Sequence, residues 1–417
     1  MNRVFDVVLY GATGFVGQQT AAYFAEHFPQ LRWAIAGRSK DKLQAIAHRL
    51  GIDDDQSRII VADSGDANAL LRLAHQTHVV LSSAGPFARF GTPLVDACVA
   101  AQTHYVDITG ETPWVRQLID KHHDQASKDG TRIVPCCGFD SVPSDLGVWL
   151  TARAIYEHFG EACTDVKAAF SIRGGLNGGT LASLLNIAET GQTKSFENPF
   201  LLNPDDAKPN DPSGHDDVYS PHRDKDFKAW VGPFVMGPIN TRVVRRSVAL
   251  RQQASGKNKG NSHGNDAQAF AEAFHYQEYA RFGVGAKAAI TAAGFSWGMN
   301  ATQIGLLFSP IRKITQRMGP APGEGPSEAD MDNGGFKCDF FGRTARGQQV
   351  RGRIATKGDP GNRATTKFVC EAAAALVVDK LPGGKNFGGV LTPSTAIGQA
   401  LVDRLRAKAV QIDFAAL

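Results

Sequence analysis

Three glycines, Gly11, Gly14 and Gly17, are spaced through GATGFVG directly after the apolar run VVLY. Such a turn between a strand and a helix suits a diphosphate. Gly11 permits a tight bend, Gly14 lets the backbone approach the ligand, and Gly17 lets the helix pack on the strand. Ala12, Thr13, Phe15 and Val16 complete the cradle. The helix start offers free N–H groups and partial positive charge to the phosphates. A tight turn with no ligand is the alternative reading. The next strand ends in AGRS rather than in an acidic residue. A carboxylate there would serve the ribose hydroxyls of NAD, whereas Arg38 and Ser39 suit a 2′-phosphate. The reading is therefore NADP(H), unless Arg38 is a solvated loop cation. Asp63 is a candidate for the adenine amino group or for a helix cap. Ser83, Ala84, Gly85, Pro86 and Phe87, in SSAGPF, should flank the nicotinamide, with Phe87 walling the ring.

A nicotinamide implies hydride transfer. None of the seven tyrosines has a lysine four residues on, so the Tyr-x-x-x-Lys proton relay of short-chain dehydrogenases is absent. The candidates for proton chemistry are Asp140 and Ser141 in CCGFDSVPSD, and Glu111 in DITGE. Each has a bland alternative: Asp140 as a helix cap, Glu111 as a cap or a solvated charge. Pro143 marks a second helix start aimed at the same crevice, suited to a carbonyl or carboxylate.

The positioning elements read as alternating strands and helices. VFDVVLYG, RWAIAG, RIIVAD, HVVLSSAG, HYVDITGE and TRIVPCCG are strands. Helices are expected from Phe15 to about Phe28, over SKDKLQAIAHRLG, from an N-cap at Thr92, and from near Thr112. Apolar strands alternating with helices demand a parallel sheet covered on both faces, with ligands beyond the strand carboxyl ends. The expected fold class is α/β: a Rossmann-type doubly wound parallel sheet plus a second α+β domain with a mixed or antiparallel sheet. The expected domains are 1–145, 146–385 and a C-terminal helix over 386–417 that returns to the first domain. TDVKAAFSIRGG and GGFKCDFFGRTARGQQVRGRIATKG read as antiparallel strands, the latter a hairpin. GGTLASLLNIAETG and TTKFVCEAAAALVVDKL read as helices, and the stretches near 203–225 and 254–266 as mobile polar loops.

The chain has 417 residues and a net charge of +4, which gives no case for nucleic-acid binding. The six cysteines form no Cys-x-x-Cys pair and no ligand cluster, so reduced thiols, no metal site and a cytoplasmic location are expected, with no signal peptide. Arg242, Arg245 and Arg246 could grip a phosphate, or form a salt-bridged or solvated surface. From Ala288 to Ile311 no charged residue occurs. The stretch reads as a core helix or a peripheral membrane contact sooner than a span, because it holds several glycines, Asn300 and Gln303.

GATGFVG, AGRS, GPF, YVDITGE, CGFDSVPSD, GPINTRVVRRS and GGVLTPSTAIGQALVDRLRAKAV together resemble the saccharopine dehydrogenase-like oxidoreductases, in particular the trans-acting enoyl reductase branch. The resemblance spans nearly the whole chain. It implies reduction of a carbon–carbon double bond in a polyketide-derived lipid precursor, in which case the substrate is acyl or lipid-like and carrier-bound. It also places TTKFVCEAAAALVVDKL across the back of the mixed sheet. A homodimer through the second domain is expected. The alternatives are a saccharopine-type imine or amino-acid reductase, whose carboxylate-binding cations find no match here, and a non-catalytic NADP-binding sensor or scaffold.

Overall fold

A computed structural model describes residues 3–175, 182–183, 185–186, 189, 197–208, 213–257, 266, 268–306, 308–318 and 323–417. The chain opens with β1 (Phe5–Tyr10), α1 (Phe15–His27), β2 (Trp33–Gly37), α2 (Lys40–Arg49), β3 (Ile59–Val61), α3 (Ala67–His75) and β4 (Thr77–Ser82). A short α4 (Phe87–Phe90) follows, then α5 (Thr92–Ala100), β5 (His104–Asp107), α6 (Thr112–Asp129), β6 (Arg132–Val134) and α7 (Val142–Phe159). The expected alternation is present. Gly130 and Gly160 end α6 and α7 in the left-handed conformation that only glycine adopts at low cost. Thr92 is not the expected cap: Gly91 holds that position, and the Thr92 hydroxyl accepts the Trp114 indole N–H at 2.9 Å.

The remainder supplies β7 (Cys163–Arg173), β8 (His222–Asp224), β9 (Ala229–Gly232), α8 (Gly237–Lys257), β10 (Phe270–Gly283), α9 (Gly285–Gly305), α10 (Ser309–Met318) and α11 (Glu328–Asp332). After these come β11 (Gly335–Thr344), β12 (Gln349–Lys357), α12 (Thr365–Val378), β13 (Gly389–Val390), α13 (Pro393–Ala396), α14 (Gln399–Ala407) and β14 (Gln411–Ala416). The expected helix over 178–191 lies largely outside the described residues, as do 209–212 and 258–265 of the expected loops. Residues 254–257 continue α8 rather than loop out, and 222–224 form a strand.

Two seven-stranded sheets result. The first is parallel throughout, in the order β13-β6-β5-β4-β1-β2-β3. The chain leaves β1 for β2 and β3 on one side, then returns to β4 on the other, so the switch point lies between β1 and β4. The second sheet, β14-β12-β11-β7-β10-β9-β8, is mixed: β7 and β10 run parallel and all other pairs are antiparallel.

The two domains exchange covers. In the first sheet Val8, Tyr10, Val80 and Tyr105 face α3, α5 and α6, while Val7, Leu9, Leu81 and Val106 face the other way. That second face is closed by α1 and by α12, which contributes Phe368, Val369 and Ala372. The expectation that this helix backs the mixed sheet is therefore corrected. The mixed sheet is backed instead by α7, which begins at the end of β6. Gly147 of α7 is what admits the Phe340 ring of β11 to the helix backbone. The tail also departs from one returning helix. β13 extends the parallel sheet, Gly398 (φ +59°) breaks the helix, and β14 closes the edge of the mixed sheet.

Candidate active site

The glycine turn sits at the switch point. Gly11 has φ +84°, and a Cβ there would lie 2.9 Å from the Ala84 nitrogen, so the loop after β4 presses on the loop after β1. A Cβ on Gly17 would run into the Gly11 carbonyl oxygen and lie 2.9 Å from the Ala12 Cα. The first turn of α1 thus rests on the bend itself. Gly14 is the N-cap and brings no capping side chain. The Thr13, Phe15 and Val16 N–H groups have no backbone acceptor among the described residues. Several donors with no side chain over them point one way, which is the arrangement an anion needs.

At the end of β2, Arg38 is exposed and has no side-chain partner among the described residues. Ser39 is the N-cap of α2 but makes no capping bond, so its hydroxyl is free. Asp63 caps no helix; it accepts the Gly65 N–H at 2.8 Å, while Asp66 caps α3. Arg38 and Asp63 both act electrostatically on Tyr10 at the end of β1. Burial pushes the Tyr10 phenol up to about 12, with Asp63 adding to the shift and Arg38 opposing it. The ends of β1, β2 and β3 thus carry Tyr10, Arg38 and Asp63 in electrostatic range of one another.

The opposite wall is less open than the sequence implies. Ser83 is tied back by its N–H to the Tyr10 carbonyl (3.0 Å) and by its hydroxyl to that of Gly11 (3.2 Å). Phe87 is buried and stacks on Trp114 with 5.7 Å between ring centroids, leaving one ring edge near Gly85. Glu111 is fully buried. Its oxygens accept the Phe87 N–H (2.8 Å), the Ala88 N–H (3.0 Å) and the Ser183 hydroxyl (2.8 Å). It therefore caps the four-residue α4 and holds SSAGPF in place.

Asp140 behaves differently. It caps nothing, because Ser141 is the N-cap of α7 and the Ser141 hydroxyl bonds Asn240 at 3.2 Å. The Asp140 carboxyl has no hydrogen-bond partner among the described residues, and desolvation alone pushes it up to about 7. Opposite it lies Gly110. A Cβ there would sit 3.7 Å from Asp140 Oδ2, 3.0 Å from Ile239 Cδ1 and 3.9 Å from Met236 Cε. The carboxyl is thus held at the strand carboxyl edge, between a bare glycine and apolar side chains.

Three residues escaped the sequence reading. Asp107 ends the apolar β5, and its Oδ1 accepts the N–H groups of Thr109 and Cys136, each at 3.0 Å, fixing the loops after β5 and β6 relative to each other. A single acid ending an apolar strand was the signal. Asn240 and Glu278 form a buried chain behind Ser141. Asn240 donates to Glu278 Oε1 at 2.8 Å, and Ser144 and Tyr276 donate to Oε2 at 2.8 and 2.6 Å. These lie far apart in sequence and leave no local pattern.

The arginine row of α8 is salt-bridged, as one reading had it, but it is buried rather than solvated, and its donors face acceptors within the protein. Arg242 pairs with Asp217 at 2.5 Å. Arg245 donates to the carbonyls of Pro199 (2.9 Å) and His215 (2.8 Å). Arg246 donates to those of Leu202 and Val390, each at 2.5 Å. Arg251 reaches Ser394. All four are buried and clamp the segments on either side of α8.

Residues 7–134 match the family model described as the saccharopine dehydrogenase NADP binding domain. A Mycobacterium tuberculosis protein described as a candidate trans-acting enoyl reductase is 37% identical over 429 aligned positions, covering 98% of this chain and 97% of that one. A trans-acting enoyl reductase of Mycobacterium bovis is 36% identical over 420 positions, covering 97% and 96%. The chain belongs to the saccharopine dehydrogenase-like family. It is an oxidoreductase with an NADP(H)-binding domain, and the glycine cradle, the uncapped α1 and the unpaired Arg38 fit that cofactor. The apo saccharopine dehydrogenase (L-Glu forming) of Saccharomyces cerevisiae shares the fold over 99% of this chain and all of its own, with a TM-score of 0.51 and 14% identity. Among the described residues, no His/Cys/Asp/Glu group that could hold a metal is found in this saccharopine dehydrogenase-like chain.

Proposed function

We propose that this oxidoreductase uses NADPH to reduce a carbon–carbon or carbon–oxygen double bond of an acyl or lipid-like substrate, as an enoyl reductase does. The observation that carries the reading is the Asp140 carboxyl, partnerless among the described residues and raised to about 7, after the carboxyl end of β6 and near Gly110, Ile239 and Met236. Arg38 and Ser39 would hold the 2′-phosphate, the first turn of α1 the diphosphate, and the Ser83–Gly85 segment would border the nicotinamide half. When bound, the nicotinamide supplies a hydride. The substrate must also gain a proton, which Asp140 gives while neutral and recovers from solvent. Met236 and Ile239 make an apolar wall that favours a hydrocarbon chain over a zwitterion. The four α8 arginines, engaged elsewhere, offer nothing to the carboxylates of an amino-acid adduct. The mixed sheet carries paired charges on the face away from α7, including Arg281 and Arg353 on Asp339, and we propose a homodimer through this second domain, which light scattering would test.

The test is NADPH oxidation against a panel of enoyl thioesters, ketones, and 2-oxo acids with amines. Turnover of enoyl thioesters, lost in Asp140→Asn with NADPH affinity intact, supports the reading. Turnover only with 2-oxo acid and amine would replace it by the imine reductase. No turnover with any substrate, together with a change in partner binding on Asp140→Ala, would replace it by the sensor.

A further inference from the structure

Helix α9 lies with Ala288, Ala292 and Ser296 against β9 and β10, and these residues are buried. The opposite side carries Ile290, Gly294, Trp297, Ala301 and Ile304 at steps of four, three, four and three residues. This is one stripe of the helix, and all five face solvent. Ile290, Trp297 and Ile304 stand at 73%, 77% and 60% of full exposure. Phe308, Ile311 and Ile314, at and within α10, are exposed as well, and Ile311 lies beside Gly305 at the end of α9. With Phe295, seven large apolar side chains are exposed from α9 to α10, which marks an interaction surface.

Charge decides what covers it. Between Val284 and Met318 the sequence has no Asp or Glu, and the exposed cations Lys287, Lys313 and Arg317 border the stripe. A second copy pairing symmetrically would place these cations against a like-charged patch. An anionic lipid surface satisfies both features, with apolar side chains entering the acyl boundary and cations at the headgroups. Trp297 is the residue type favoured at that depth. No described helix is long and apolar enough to cross a membrane, so the helices would lie in the surface.

We propose that α9 and α10 form a docking surface for an anionic membrane, with Ile290, Trp297 and Ile304 inserted and Lys287, Lys313 and Arg317 on the headgroups. The surface is separate from Asp140 and the cradle, so it stands or falls independently of the proposed reaction.

Flotation of the full chain with vesicles of equal parts phosphatidylcholine and phosphatidylglycerol tests this, with pure phosphatidylcholine vesicles as the comparison. The expected result is co-flotation with the anionic vesicles, and quenching of Trp297 fluorescence by lipids brominated in the acyl chain, lost in Trp297→Phe. Lys313→Glu with Arg317→Glu should weaken partitioning at least five-fold per position, on the order expected for removing one cation. Ile290→Ser with Ile304→Ser should abolish flotation while circular dichroism and NADPH binding stay unchanged. No binding to anionic vesicles at low salt would overturn the proposal. So would a dimer that the serine variants convert to monomer without any effect on vesicles, which would assign the stripe to a second copy.

Discussion

Arginine has opposite fates at the end of β2 and along α8. Arg38 is exposed, unpaired and one residue from a free serine hydroxyl. Arg242, Arg245, Arg246 and Arg251 are buried, with their donors on a carboxylate, backbone carbonyls and a serine. In sequence, TRVVRRS is the more conspicuous cationic cluster, and AGRS looks like an ordinary turn. The structure reverses that ranking. Exposed donors remain open to a ligand, whereas the terminal nitrogens of the buried cluster are held on acceptors within the protein.

The contrast can be broken most strongly at Gly17. Gly17→Ala drives a methyl into the Gly11 carbonyl. The expected outcome is loss of calorimetrically detectable NADPH binding with a stability cost of about 1–3 kcal/mol. Wild-type affinity in this variant would mean that the turn is not the phosphate site. Arg246→Ala should do the reverse. With the Leu202 and Val390 carbonyls left unpaired in the interior, unfolding in urea should become easier by about 3 kcal/mol or more, while the folded fraction binds NADPH as before. An affinity loss without a stability loss would return this row to the ligand.

Asp140→Asn sharpens the comparison from the catalytic side, with an expected fall in kcat of roughly 10²–10⁴-fold and unaltered NADPH affinity. Wild-type activity should decline as pH rises through about 7, where the carboxyl loses its proton. The same shift acts on stability. The folded state holds this proton more tightly than the unfolded chain, whose carboxyl titrates near 3.8, so the contribution is present at low pH and is lost as pH climbs to about 7. The Asn variant should show a flatter dependence of melting temperature over that interval. The smallest effect is at Arg38. Arg38→Ala should weaken NADPH roughly 10–100-fold through lost charged hydrogen bonds, leave NADH binding as it was, and move stability by no more than about 0.5 kcal/mol. Equal affinity for the two nucleotides in the intact protein would remove the role given to Arg38.

Much of the first sheet was legible because its signals are local. A glycine triplet between an apolar run and a helix, Pro29 after α1, and short apolar strands alternating with helices all act within a few residues. Beyond the first sheet, β7, the hairpin of β11 and β12, and the helix α12 were legible from their local patterns, but the pairing of β7 with β10 and the sheet that α12 covers were not. β10 went unread because its partners β7 and β9 lie far away in sequence and its exposed and buried positions do not alternate cleanly. Around the crevice, Asp140 was identified but expected to cap α7. What denies it that role is Ser141 occupying the N-cap, a matter of one residue in register. For Glu111 a capping role was among the readings, but not the helix it caps, since its donors come from a different loop, 23 and 24 residues earlier.

The exchange of α7 and α12 reaches beyond architecture. A polypeptide cut after residue 145 would keep the nucleotide cradle yet lose the lid over Val7, Leu9 and Leu81, because the helix that shields them is encoded more than two hundred residues downstream. The half that remained would lack the beginning of α7 and part of its own backing. Neither portion is therefore a self-sufficient module, and the two sheets should melt in a single calorimetric transition. Exchanging segments at residue 145 would therefore part each sheet from a helix that packs on it.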